Sequence, residues 1–212
     1  MQVFRLSTSA VVFLALGSLG SIFAQEKGGA RPGVPAPIKI TIPGFPDGGT
    51  IPAKFANTPN GSTSPAIEWS GVPEGATTLA LILHDTDVAA RAAGSTAKGA
   101  GPDDTLHWVI YNIPATSTGL AEGVPPNASL DNGSVQMKYT EGVPRLAIGK
   151  TGYFGPSPPP PTPHHYVFDL YALDTKLDPG LGSRDDLMKA IAGHVLAKGT
   201  YFGMYASPPR NR

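Results

Sequence analysis

The sequence contains no cysteine. That excludes a disulfide framework, thiolate catalysis, cysteine-ligated zinc and a lipid anchor carried on a cysteine. Charge is scarce as well: 16 Lys plus Arg stand against 16 Asp plus Glu, a formal net charge of zero, and charged residues make up 15% of the chain. Nucleic-acid binders need a basic face to neutralise phosphates, so nucleic acid is not an expected partner. No His-Glu-x-x-His occurs, so the usual metalloprotease helix is missing. The longest apolar stretch, residues 11–22, is shorter than the ~20 residues of a spanning helix.

What is abundant is punctuation. The 26 Gly and 23 Pro are nearly a quarter of 212 residues, which favours strands and turns over long helices. Arg5, the apolar residues 11–22 and Ile22-Phe23-Ala24 before Gln25 form a secretory signal pattern. The expected organisation is a signal peptide at 1–24, a Gly/Pro-rich flexible leader at 25–37 and a single domain at 38–207. The expected location is periplasmic or secreted.

Within the domain, residues 38–42 alternate as a first strand and residues 51–55 as a short second one. Ile67-Glu68-Trp69 is a third. Residues 79–83 and 108–113 are continuous apolar runs, which suits strands buried on both faces. Residues 166–173 put Val167, Asp169 and Tyr171 on one face and Phe168, Leu170 and Ala172 on the other. Residues 89–104 read as a Gly/Ala-rich loop and 116–144 as turns and loop. Ser183 with Asp186 three residues on predicts a helix N-terminus. Leu187, Ile191, His194 and Val195 continue it at helical spacing over 183–196, Gly199 follows, and 201–205 close the chain as a strand.

Polar, titratable groups sit at the mouths of three apolar runs. Leu79-Ala80-Leu81-Ile82-Leu83 leads into His84-Asp85-Thr86-Asp87. Asp85 and Asp87 share a face on an extended backbone, and they read equally as a solvated strand end. His107 lies between Leu106 and Trp108, where desolvation favours neutral imidazole unless a carboxylate such as Asp85 is near. The alternative for such a histidine is a satisfied core residue. His164-His165-Tyr166 follows Pro158-Pro159-Pro160-Pro161, a stiff run suited to hold a pocket rim or, alternatively, to act as a linker. His164 and Tyr166 share a face. Gly152-Tyr153-Phe154-Gly155-Pro156 offers glycines beside which backbone N–H groups could nest an anion. Its spacing is not that of a nucleotide phosphate loop.

Together, Ser64-Pro65-Ala66-Ile67-Glu68-Trp69, Asp85-Thr86-Asp87, Leu106-His107-Trp108-Val109, Gly155-Pro156 and His164-His165-Tyr166-Val167-Phe168 resemble the phosphatidylethanolamine-binding protein family. That family includes the Raf kinase inhibitor protein, and residues 193–205 look like its bacterial branch. The resemblance implies a mainly β fold: a large central antiparallel sheet packed with a smaller sheet, and few short helices. It also implies a small cavity for phosphate, a carboxylate or a phosphorylethanolamine-like head group. By motif position the ligand-binding residues are Asp85, His107, Gly155, His164 and Tyr166. The chain departs from the pattern at Thr86, where the family usually has Pro.

The expected function is therefore a non-catalytic, exported binding protein without a cofactor. Its partners would be a small anion or phospholipid head group and a kinase or protease that it inhibits; a homodimer is left open. The serines near these segments, Ser70 and Ser157, do not stand in a nucleophile-elbow context. The alternative is a metal-dependent hydrolase that uses His84, His107, His164 and Asp85 as ligands.

Overall fold

A computed structural model describes residues 36–89, 104–140 and 142–209, all within one compact unit, Gly33–Arg212. The signal segment 1–24, nearly all of the leader and most of the Gly/Ala-rich loop lie outside the described residues.

Among the described residues nine strands form two sheets. In chain order they are β1 (Lys39–Thr41), β2 (Gly49–Thr50), β3 (Ile67–Ser70), β4 (Thr78–Ala89), β5 (Asp104–Pro114), β6 (Gly119–Leu120), β7 (Val135–Gln136), β8 (His164–Leu173) and β9 (Val195–Tyr205). The large sheet has the order β2-β9-β8-β4-β5-β7 and the small one β1-β3-β6. All pairings are antiparallel except the edge pair β2–β9, which is parallel. The three apolar runs picked out by sequence are thus neighbours, β8-β4-β5, at the centre of one sheet.

Burial on both faces explains their continuous apolar character. On the front face Leu79, Leu81, Leu83, Trp108, Ile110, Phe168 and Leu170 pack with Ile40, Ile67 and Trp69 of the small sheet. On the rear face Ala80, Ile82, Val109 and Tyr111 pack with Leu177 and with Leu187 and Ile191 of the α-helix α1 (Arg184–Ile191). Burying a leucine such as Leu187 contributes about 2 kcal/mol.

The start of α1 follows its cap signal. Ser183 Oγ accepts from the Asp186 N–H at 3.1 Å while its hydroxyl donates to the Asp186 carboxylate at 2.8 Å. The end does not follow the apolar spacing. Gly193, at φ +83°, turns the chain two residues after Ile191, and Val195 opens β9. His194 and Val195 continue the helical period by coincidence, and Gly199 lies inside a strand. A second correction concerns residues 51–55. Ala53–Phe55 is a 3₁₀ turn, with the Phe55 N–H on the Pro52 carbonyl at 3.0 Å. Pro52 has no N–H for a ladder, and the strand at this place is β2, just upstream.

Candidate functional site

β5 is longer than a regular partner of β4 would be. Leu83 pairs with Trp108 but His84 pairs with Leu106, so His107 is an extra residue. Such a bulge bends the strand and re-aims a side chain. His107 and Trp108 are consecutive, yet both serve the front face: Trp108 lies in the front core and the His107 ring meets the Tyr166 ring edge-on, centroids 5.0 Å apart at 87°. The carbonyl that the bulge frees from the ladder is doubly satisfied, by the Phe154 N–H at 2.8 Å and the Tyr139 hydroxyl at 3.1 Å. His107 Nδ1 donates to the Phe154 carbonyl at 2.8 Å.

β4 supplies Asp85 to the same face, and Asp85 is the register partner of Tyr166. Its Oδ2 lies 2.8 Å from His164 Nδ1, and its Oδ1 accepts from the Asp87 N–H at 3.0 Å. The structure therefore brings Asp85, His107, His164 and Tyr166 together, all buried, at the front ends of three adjacent strands. It changes one expected pairing. The partner of Asp85 is His164, not His107. Burial dominates at His107 and lowers its pKa to about 4, against smaller opposing effects of the Phe154 carbonyl and the Asp85 charge. His107 is a neutral imidazole at physiological pH. The Tyr166 hydroxyl is pushed well above its ordinary range, by burial first and then by the Asp85 carboxylate beside it.

Gly155 takes another role than the expected nest. Its N–H donates to Ser62 Oγ at 2.9 Å, and the neighbouring Phe154 N–H is already held by His107. A Cβ at 155 would run into the Phe55 carbonyl and the backbone of Ala56 and Asn57. Glycine lets the wall of the site lie directly on the 3₁₀ turn. Sequence reasoning missed Ser62, Tyr139 and Tyr153, whose hydroxyls bolt this wall; Tyr153 donates to Phe55 O at 2.8 Å and Tyr139 to Gly152 O at 2.5 Å. Their only sequence signal is a run of aromatics among glycines. Gly149-Lys150-Thr151 matches the end of a nucleotide phosphate loop, but Pro144 stands where its first glycine belongs and no helix follows.

Asp87 does not join the front group. It accepts from the His165 backbone N–H at 2.5 Å and lies 2.9 Å from His165 Nδ1 at the exposed surface. His84 points to the rear. There its Nδ1 lies 2.5 Å from Asp104, which also pairs with Arg184 of α1. Its Nε2 lies 3.4 Å from Asp169 without a well-formed hydrogen bond. Lys198 and Thr200 hold Asp169 at 2.9 and 2.8 Å. Burial opposes ionisation of Asp169, but His84, Lys198 and Thr200 outweigh it and bring its pKa down to about 2. A metal set of His84, His107, His164 and Asp85 is thereby overturned, because His84 and Asp85 are successive residues of β4 and face opposite sides of the sheet.

This geometry can be set beside known proteins. A profile of the phosphatidylethanolamine-binding protein family matches residues 41–206. The chain belongs to the phosphatidylethanolamine-binding protein family. A UPF0098 protein of Methanothermobacter thermautotrophicus is 42% identical over 164 residues, covering 76% of this chain and 93% of the relative. LppC of Mycobacterium tuberculosis, a lipoprotein by name, is 31% identical over 173 residues, covering 79% and 73%. Among solved structures, E. coli YbcL matches with TM-score 0.64 and 26% identity over 82% of this chain and all of that one. A phosphatidylethanolamine-binding protein homologue of Chlamydia trachomatis matches with TM-score 0.63 and 29% identity over 81% and 99%. In this family member β4 runs on through Thr86 to Ala89, and the Thr105 hydroxyl donates to the Val88 carbonyl at 3.0 Å.

Proposed function

We propose that residues 38–207 form a non-catalytic binding domain whose front pocket takes a phosphate, carboxylate or phosphorylethanolamine-like group, and that 1–24 direct its export. The observation that carries this reading is the Asp85–His164 pair beside a neutral His107 and the buried Tyr166. Asp85 is already engaged by His164 and by a backbone N–H, so its charge is offset rather than turned against an anion. A doubly protonated His164 has Nδ1 on Asp85 and Nε2–H left for the ligand. Neutral His107, with its proton on Nδ1, carries a lone pair on Nε2 that suits a donor such as the hydroxyl of hydrogen phosphate. No nucleophile–base–orienter set is apparent among these residues, which favours binding over catalysis. Inhibition of a kinase or protease is the family-derived role proposed for the bound or free form.

Binding then depends on His164, whose Nδ1 is held by Asp85 while its Nε2 is left for the ligand. Calorimetric titration with inorganic phosphate and with phosphorylethanolamine tests the reading. His164→Ala should weaken binding about tenfold or more, the scale of a lost charge-assisted hydrogen bond. Equal affinity in wild type and His164→Ala, with both folded, would sink the proposal.

A further inference from the structure

The segment that walls the pocket carries a second feature on its outer side. Residues 144–151 run from a proline through the 3₁₀ turn Arg145–Ala147 to Thr151, which bridges to Lys138. Leu146 and Ile148 are 67% and 49% exposed, the most and second most exposed of the large apolar side chains described. Between them Ala147 is fully buried against Tyr139 and Phe154.

The exposure is built rather than slack. The Ala147 N–H donates to the Pro144 carbonyl at 2.7 Å, Lys150 N–H to Ala147 O at 2.9 Å and Gly149 N–H to Tyr139 O at 2.8 Å. The backbone is pinned in a form that holds two aliphatic side chains outward on either side of a buried anchor. Cations flank them: Arg145, Lys150 and Lys138 are all exposed. By sequence, residues 138–150 hold those three cations and one carboxylate, Glu141, a net +2 in a chain whose overall charge is zero. Lys150 also lies over the Phe154 ring, 5.3 Å from its centroid, and Phe154 packs on His107.

The geometry points to this loop as a contact surface for an anionic lipid bilayer. A protein partner fits the observations less well. A standard protein interface covers about 800 Å² on each side and is anchored by aromatic or arginine side chains in pits. Here a turn of six residues offers two exposed aliphatic side chains, Leu146 and Ile148, and no exposed aromatic. An exposed aliphatic turn flanked by cations is what the head-group boundary of a negatively charged membrane accommodates: the apolar side chains enter the acyl edge and the cations stay with the phosphates. The inference does not depend on the pocket binding an anion.

The absence of cysteine makes the test direct. Ile148→Cys in the full chain gives a single site for a spin label, whose depth in vesicles is read by its accessibility to oxygen. Phosphatidylcholine vesicles are compared with vesicles that also contain phosphatidylglycerol. The label should be immersed in the anionic vesicles and stay in water with phosphatidylcholine alone. Adding Arg145→Gln with Lys150→Gln should lower the immersed fraction at limiting lipid, by roughly fivefold in affinity for each cation removed. Inorganic phosphate should leave the label immersed when ionic strength is matched with chloride. A label that remains in water while the chain is carried on the vesicles by another segment overturns the proposal. So does immersion that ignores the lipid charge or the two cations. Release by phosphate beyond the chloride control would assign the lipid contact to the pocket and overturn the loop as the contact surface.

Discussion

The two faces of the central sheet carry polar clusters made from successive residues of the same strands, and the two clusters are held by different partners. At the rear His84, Asp104, Asp169, Arg184, Lys198 and Thr200 are joined in a chain that ties α1, β5, β4, β8 and β9 together. At the front Asp85, His107, His164 and Tyr166 are buried too, but at His107 loss of water outweighs the partners, whereas at Asp169 the partners together outweigh it. The rear chain leaves His84 Nε2 buried without a hydrogen bond, but its carboxylates are held by Arg184, Lys198 and Thr200. The front cluster has no Lys or Arg partner among the described residues: its one carboxylate is held by His164 and a backbone N–H. Position along a strand decides which side a residue joins: His84 and Asp85 are neighbours in sequence and belong to different clusters.

The contrast can be broken most severely at the front wall. Gly155→Ala places a methyl against the Phe55 carbonyl and the backbone of Ala56 and Asn57, where nothing flexible can give way. A loss of about 3–4 kcal/mol is expected by urea denaturation, with phosphate binding lost as the wall moves. An unchanged midpoint would show that the 3₁₀ turn can shift freely.

Acid separates the faces next. His107 titrates at 6.5 when unfolded and at about 4 when folded, so between those values the unfolded chain binds more protons. The favourable difference is complete above pH 6.5 and is lost as pH falls toward 4, up to about 3 kcal/mol in all. His107→Gln should flatten that slope in a series of urea melts; an unaltered slope would remove His107 as its source.

The smallest effect belongs to the rear. Asp169→Asn breaks contacts with Lys198, Thr200 and His84 and should cost about 2 kcal/mol at neutral pH. The Asp169 contribution is present above pH 3.8 and disappears as pH falls through about 2. Phosphate affinity should stay within about twofold if the rear chain is purely structural. A larger drop in affinity would mean that the two faces are coupled through β4 and β8.

Much of this arrangement was legible in the residues. The apolar runs, the alternation along β8 and the cap of α1 are local patterns, and local physics fixes them. The arrival of His107 on the front face was not legible, because it depends on a bulge in β5 that slides His107 out of the ladder. No side chain advertises a bulge. The close approach at Gly155 and the Ser62 hydroxyl that receives its N–H come from 93 residues away in sequence and leave no spacing to read. The helix end was misread because His194 and Val195 fit the 3.6-residue period, which cannot see that Gly193 has already turned the chain. Residues 51–55 look like a strand until Pro52 is asked for the N–H that it lacks.

β5 holds a second irregularity besides His107. Between its pairings of Leu79 with Ile113 and Leu81 with Ile110 it again runs one residue long, and Asn112 sits there at φ +56° with its side-chain amide locked to Leu177. In the language of crystals, β5 contains two dislocations, each an extra row that the neighbouring strand lacks. A dislocation can be moved only by sliding everything on one side of it. Here that slide would turn the apolar residues between the two faults onto the wrong faces. Substitution can therefore alter the chemistry of position 107 one side chain at a time. Deleting a residue there would heal the lattice and erase the place where the site is held.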